Sequence, residues 1–189
     1  MRFLILFFAA CQAVAFAGSA SPAAPASEVP PPNAAAAKCT IVHDNQTFEL
    51  ANSTATKTVE TDEYTASGEK LGEWTQLVTV QRLRLGGPAT AASFVDYFKQ
   101  KVAEDGASLE VLSPGKVASV FAVRFPKSDR NDEQVMICLA FSDAAKPELM
   151  NIVQYAIKPA RCSVAEVASR IKSWRDKFVA QARALGSAS

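Results

Sequence analysis

The sequence predicts an α+β domain: a twisted antiparallel β-sheet of about five to six strands, packed by one middle helix and one long C-terminal helix. Two patterns predict this class. Several short segments alternate apolar and polar side chains, which is the period of a strand, and short polar turns join them. Two longer segments repeat apolar residues every three or four positions, which is the period of an amphipathic helix.

The first strands precede the middle helix. Residues 41–50 predict an irregular first strand, and residues 52–61, rich in Thr and Ser, predict a short second one. Residues 77–81 are strand formers, and Gly86-Gly87-Pro88 ends that strand. This part of the chain therefore supplies one side of the sheet.

The middle helix is predicted over residues 89–104. Pro88 is typical of a helix start and Gly106 of a helix end. One stripe of the helix carries the apolar side chains Ala91, Phe94, Val95, Phe98 and Val102. We expect this stripe to pack on the sheet.

The second half of the chain predicts four further strands. They cover residues 109–112, 117–125, 135–141 and 150–157. Because long alternating strands joined by short polar turns form an antiparallel meander, we expect one face of the sheet to be covered and the other to be more open.

The C-terminal helix is predicted from residue 163 to about residue 185. Ser163 and Glu166 have the spacing of a capping box. The apolar stripe comprises Val164, Val167, Ile171, Trp174, Phe178 and Leu185. The basic residues beside it are Arg170, Lys172, Arg175, Lys177 and Arg183. We interpret this helix as docked on the sheet with a solvated basic face, rather than as a membrane-surface helix.

The N-terminus predicts export. Residues 1–17 carry one Arg, an apolar run and a small-x-small ending, as a secretory signal peptide does. The alternative is a lipoprotein leader that ends before Cys11, which would then anchor the protein through a lipid. Residues 18–38, rich in Ala and Pro, predict a disordered tether. Residues 39–186 then form one globular domain of a periplasmic or secreted protein.

The charge balance argues against two classes of partner. Once Arg2 is removed with the leader, 19 basic and 19 acidic residues remain. This balance does not indicate nucleic acid or an anionic membrane as a partner. Without the leader, the sequence predicts no integral membrane segment.

Two patterns carry a resemblance. Residues 74–81 read W-T-Q-L-V-T-V-Q and residues 153–156 read V-Q-Y-A. This W-T-x-L-V-T-V-Q … V-Q-Y-A pattern resembles a group of uncharacterised exported proteins of Gram-negative bacteria. The order of strands and helices is similar to that of the PsbP-like sandwich of exported accessory proteins. The resemblance implies export and a single domain, and it carries over no catalytic residue.

His43 is the single histidine of the chain, and it adjoins Asp44. A hydrolase that uses Ser, His and Asp would need it, but no G-x-S-x-G motif is present. We therefore interpret His43 as a surface residue, and a cryptic hydrolase stays an alternative.

The cysteines predict one disulfide. After removal of the leader, Cys39, Cys138 and Cys162 remain. We favour a bond between Cys39 and Cys162, at two element boundaries, over one between Cys138 and Cys162. Because no C-x-x-C motif accompanies Cys39 and His43, we predict no metal site, and no motif indicates a cofactor.

The strand that follows Gly72 holds the candidate binding residues. Alternate positions put Gln81 on one strand face and Arg82 and Arg84 on the other, so neither face is purely apolar. Trp74 is expected to pack at the entrance of the strand, with ligand stacking as the alternative. The predicted binding residues are Trp74, Gln81, Arg82 and Arg84.

Together these patterns predict an exported, non-enzymatic accessory or binding module of the bacterial cell envelope. Its partner would be another envelope protein or a small ligand. One alternative is a carrier of a small molecule or lipid, with a pocket between the sheet and the C-terminal helix.

Overall fold

The computed structural model describes residues 40–128, 132–143 and 145–187. The predicted leader, the tether and Cys39 lie outside these residues. The strands are β1 Thr40–His43, β2 Gln46–Ala55, β3 Val59–Ala66, β4 Gln76–Arg84, β5 Ser108–Ser113, β6 Ala118–Phe125, β7 Gln134–Asp143 and β8 Lys146–Ile157. The helices are α1 Ala91–Glu104 and α2 Val164–Ser187, and a short 3-10 turn, Pro159–Arg161, precedes α2.

All eight strands form one sheet, in the order β1-β2-β3-β4-β8-β7-β6-β5. Every neighbouring pair is antiparallel. The first four strands follow one another across the sheet. Helix α1 then carries the chain to the far edge, and the last four strands return, so that β8 pairs with β4 in the middle.

The sheet has eight strands, so the prediction of five to six is wrong. The predicted single strand over residues 41–50 is a hairpin, with its turn at Asp44 and Asn45. Both turn residues have left-handed backbone angles, with φ of 48° and 60°. Asp and Asn tolerate this conformation, and it matches the twist of paired strands. The second strand therefore runs on to Ala55, and a third begins at Val59.

Helix α1 is confirmed together with its apolar stripe. All five predicted residues are buried. The helix begins at Ala91 because Thr90 caps it: the backbone N–H of Ser93 donates to Thr90 Oγ1 at 3.1 Å, and that of Thr90 donates to Ser93 Oγ at 3.1 Å. Gly106, with φ of 72°, follows its end.

Helix α2 is confirmed, and its predicted stripe is wrong at one end. The backbone N–H of Glu166 donates to Ser163 Oγ at 3.2 Å, as a capping residue requires. Trp174 and Phe178 are buried, but Val164 is 88% exposed. The first turn of α2 thus lies away from the core, and the packed stripe begins at Val167.

The two helices cover opposite faces of the sheet, so the expectation of one open face is wrong. Helix α1 packs with Phe121 and Ile152, and helix α2 packs with Ile137 and Tyr155. Strand β7 explains the difference, because residues 136–140 are all buried. Such a continuous apolar run is typical of a strand that is covered on both faces.

Within the described parts of the chain, neither helix combines the length and apolar character that crossing a membrane requires.

Candidate functional site

Trp74 lies in the core beneath α1 and is 7% exposed. The ammonium group of Lys158 lies 4.2 Å from the centre of its indole ring. The indole ring is therefore already in contact with the core and, through a cation–π interaction, with Lys158. Trp74 therefore packs at the entrance of β4, as predicted.

The other three predicted binding residues lie on β4 but not on one face. Gln81 is buried on the α1 side, where its Nε2 donates to Thr61 Oγ1 at 3.4 Å and its Oε1 accepts from Gln154 Nε2 at 2.9 Å. Arg82 is exposed and paired with Glu60 at 3.0 Å, and Arg84 is also exposed. The structure does not bring the four predicted residues together.

His43 is not a surface residue, because its side chain is only 10% exposed. The imidazole lies 4.1 Å from the Trp174 ring, centre to centre, and Trp174 stacks in turn on Tyr155 at 4.6 Å. The surface interpretation is wrong. The residues that cover His43 come from α2, about 130 positions later in the chain, so no local pattern indicates the contact. Trp174 thereby anchors α2 to both β1 and β8.

The hydrogen bonds of His43 assign its tautomer. Lys177 Nζ lies 3.2 Å from Nδ1, and an ammonium group can only donate, so Nδ1 accepts. Nε2 therefore carries the proton in the neutral ring, 3.0 Å from Ser173 Oγ and 3.4 Å from Asp44 Oδ2. Burial, followed by the charge of Lys177, lowers the pKa of His43.

This arrangement differs from a catalytic triad. In a triad the serine and the carboxylate contact opposite nitrogens of the imidazole, and the nitrogen that faces the serine accepts its proton. Here Ser173 and Asp44 both lie at Nε2, which is protonated, while Lys177 occupies Nδ1. The geometry does not equip His43 to activate Ser173.

A groove runs between the edge strand β5 and helix α2. It has a volume of about 430 Å³ and is lined by Leu112, Arg175, Asp176, Val179, Ala180 and Arg183. Leu112 and Val179 are half-buried against the α2-side core and form an apolar floor. We call this feature the α2 groove.

The rim of the α2 groove is basic. Asp176 accepts from Lys172 Nζ at 2.7 Å and from Arg175 Nε at 3.3 Å, and the bond from Lys172 is the main reason that the pKa of Asp176 is lowered. Arg183 forms no ion pair among the residues that the structure describes. The sequence predicted a solvated basic face here. The sequence contains no signal for the groove itself, because Leu112 lies on the edge strand β5 and the other lining residues lie on α2, more than sixty positions later.

Glu63 is a functional candidate that sequence reasoning missed. It is 1% exposed, and its Oε2 accepts from Asn52 Nδ2 at 2.8 Å. Its Oε1 has no hydrogen-bond partner among the described residues. Burial raises the pKa of this carboxyl group. Glutamate is seldom buried, so no sequence pattern indicated it.

Among the described residues, Cys138 and Cys162 form no disulfide, so the alternative pairing of these two cysteines is not seen. The predicted partner of Cys162, Cys39, lies outside the described residues. Cys138 is fully buried, which raises the pKa of its thiol. Among the described residues, no three His, Cys, Asp or Glu side chains group as metal ligands.

Comparisons with known proteins place the chain in a family. No curated protein and no solved structure matches it. A family model of uncharacterised proteins matches residues 35–184, which include the whole sheet, α1 and nearly all of α2. The chain therefore belongs to this uncharacterised family.

Proposed function

We propose that this protein is an exported, non-enzymatic binding module of the bacterial cell envelope, and that the α2 groove is its binding surface. The observation that carries the proposal is the composition of the groove. An apolar floor and two guanidinium groups lie within one surface depression of about 430 Å³, together with the Asp176 carboxylate that pairs with Arg175. Binding sites commonly combine apolar lining with a few polar groups that orient the partner.

Export is supported by the first 38 residues. Residues 1–17 have the pattern of a signal peptide, and the Ala- and Pro-rich residues 18–38 suit a tether that separates a domain from its point of attachment. The resemblance of residues 74–81 and 153–156 to exported Gram-negative proteins, and the PsbP-like element order, support an accessory role.

The openness of the α2 groove favours a macromolecular partner. Arg175, Ala180 and Arg183 are exposed, so a bound group would stay in contact with solvent along the helix. Guanidinium groups bind carboxylates in a fixed, bidentate geometry. An envelope protein that presents acidic and apolar side chains would match this surface.

A carrier of a small molecule or lipid is the second candidate. The groove lies where that alternative requires it, between the sheet and the C-terminal helix, and its volume is within the range of small-molecule sites. Native mass spectrometry of the protein purified from the envelope separates the two candidates. A stoichiometric small molecule bound to it would favour the carrier.

A cross-linking experiment in cells tests the binding surface. A photo-reactive amino acid at Ala180, in the groove, is compared with one at Ala168, which is exposed on α2 outside the groove. We expect a discrete adduct from position 180 only. The double variant Arg175→Glu, Arg183→Glu should lose that adduct, whereas Lys172→Glu, with one charge reversed outside the groove lining, should keep it. Equal adducts from both positions would contradict the proposal.

The same cells test export. Osmotic-shock fractionation should recover the protein outside the cytoplasm, and its intact mass should correspond to a chain that begins at Gly18. An intact mass that corresponds to a chain beginning at a lipid-modified Cys11 would instead support the lipoprotein alternative. Unprocessed protein in the cytoplasm would contradict export.

A further inference from the structure

Glu63 belongs to a patch of buried polar side chains on the α1 side of the sheet. Asn52, Glu63, Thr79 and Gln154 are successive partners across β2, β3, β4 and β8. The neighbours of this row on the same sheet face are Thr61, Thr65 and Gln81. All seven except Asn52 are at most 5% exposed. The patch therefore surrounds a carboxyl group with oxygen-bearing side chains inside the domain.

The charge of Glu63 is not balanced by a side chain. No Lys or Arg among the described residues forms an ion pair with it, and Asn52 is its one polar partner. Buried carboxylates in proteins are paired, bound to a cation or protonated, because an isolated buried charge is costly. The unpartnered Oε1 marks the place that the missing partner would occupy.

A proton and a cation are the two groups that can balance this charge. A proton on Oε1 would neutralise the carboxyl group, but it would also create a hydroxyl group that itself needs an acceptor. A cation would bind Oε1 directly, and side-chain oxygen atoms of Thr79 and Gln154 in the same row could be its further ligands. Gln154 binds Gln81 through Nε2, so its carbonyl oxygen is not used in that bond.

The donor set selects the kind of cation. The row supplies oxygen atoms, which suit hard cations. Cys138, the neighbour of Gln154 on β7, stays a thiol because burial raises its pKa, so soft metals lack a thiolate ligand. One carboxylate balances one positive charge, and a divalent ion would leave a buried excess.

We propose that Glu63, together with oxygen atoms of Thr79 and Gln154, holds a monovalent metal cation such as Na⁺ within the sheet. The ion would join β3 to β4 and β8 on the same sheet face as α1. It would lower the unfolding equilibrium constant by a factor of one plus the ratio of the free Na⁺ concentration to its dissociation constant, so the stabilisation grows with the logarithm of the Na⁺ concentration.

The test compares unfolding in Na⁺ with unfolding in a cation that is too large for the site. Urea unfolding of the whole exported chain is measured at pH 8 in NaCl and in tetramethylammonium chloride at equal ionic strength. If Na⁺ is present at ten times its dissociation constant, the unfolding equilibrium constant should fall about tenfold. Glu63→Gln should remove this difference, and Glu60→Gln, an exposed position on the same strand, should retain it.

Repeating the comparison at pH 5 distinguishes the proton. If the cation binds, the difference between the salts grows from pH 5 to pH 8, because protons compete less. A loss of stability with rising pH that is equal in both salts would assign the site to a proton and overturn the proposal. If stability depends on neither the salt nor the pH, the partner of Glu63 is water, and the proposal is overturned as well. If Glu63→Gln does not fold, Thr79→Val replaces it and should weaken the Na⁺ effect.

Discussion

His43 has one close charged group that opposes its protonation and another that favours it. Lys177 lies at Nδ1, and its charge lowers the pKa of His43, as does the charge of Arg170 to a smaller extent. Asp44 lies 3.4 Å from Nε2, and its charge raises that pKa. Burial against Trp174 has the largest effect, and it lowers the pKa. The net result is a pKa below the usual 6.5.

Two substitutions should therefore move the pKa of His43 in opposite directions. Lys177→Met removes a cation, so the pKa should rise. Asp44→Asn removes an anion, so the pKa should fall further. The imidazole chemical shifts followed by NMR across pH 4 to 8 measure both changes. Movement of both variants in the same direction would contradict this account of the contacts.

The lowered pKa also has a consequence for stability. Below pH of about 6.5 the unfolded chain begins to bind a proton at His43 that the folded chain does not yet bind. Stability from this residue is therefore present above that pH, and it is lost as the pH falls through the folded-state pKa. Chemical denaturation at successive pH values should reveal this loss in the wild-type protein and a smaller one in His43→Gln.

The two described cysteines should react differently with iodoacetamide. Cys138 is fully buried with a raised pKa, so it should be alkylated only after unfolding. Cys162 is half-buried, and the predicted bond to Cys39 would protect it. We expect Cys162 to resist alkylation in the non-reduced exported protein and to react in Cys39→Ser, as measured by peptide mass. Equal reaction in both proteins would contradict the predicted disulfide.

The turn between β5 and β6 depends on Gly115. Its backbone N–H donates to Ser119 Oγ at 3.1 Å, and the same hydroxyl donates to the Gly115 carbonyl at 2.8 Å. A Cβ atom at this position would collide with the carbonyl oxygen of Ala118. The turn therefore has no room for a side chain at Gly115.

Gly115→Ala should destabilise the domain by about 1–3 kcal/mol, because the backbone must move to relieve the collision. Gly87→Ala is the control: it lies before α1, has no atom within contact distance of the added methyl group and should change stability by less than about 1 kcal/mol. Urea unfolding measures both. Equal stabilities of the two variants would show that the turn adjusts without cost.

At the level of elements, local patterns predicted the helices better than the first strands. The stripe of α1 repeats over about three turns, and Pro88 and Gly106 indicate its start and end, so its position follows from the sequence. The hairpin at Asp44 and Asn45 lacks the glycine that usually marks such turns, so the sequence predicts one strand where the structure has two. The missed turn therefore accounts for one of the strands by which the predicted count falls short.

The candidate sites depend on contacts that no local pattern contains. His43 meets Lys177, and Leu112 meets Val179, only because α2 returns across the sheet. The polarity of Gln81 on β4 predicts a binding residue, but its partners are Thr61 and Gln154 on the two neighbouring strands. Sequence reasoning found polar residues on β4, and the strand order decides that their partners come from β3 and β8.

At the level of the whole molecule, the sheet separates two apolar layers. On one face, Phe98 of α1 contacts Phe94 and Phe121, and the ring centres are 5.9 and 5.8 Å away. On the other face, Phe178 of α2 contacts Trp174, with ring centres 5.4 Å apart. A side chain on one face reaches the other layer only through the backbone of the sheet. The two layers should therefore respond independently to substitution.

Double-mutant cycles test this independence. Phe98→Leu and Phe178→Leu should each cost about 1–2 kcal/mol of unfolding free energy, and the double variant should equal their sum to within about 0.5 kcal/mol, since they share no partner. Phe94→Leu with Phe98→Leu is the control within one layer. Because these rings stack, their coupling should exceed about 0.5 kcal/mol. Urea unfolding of the three single variants, the two double variants and the wild type measures both cycles. A coupling across the sheet as large as the coupling within the α1 layer would mean that the central strands transmit packing changes, and the domain would then behave as one core instead of two.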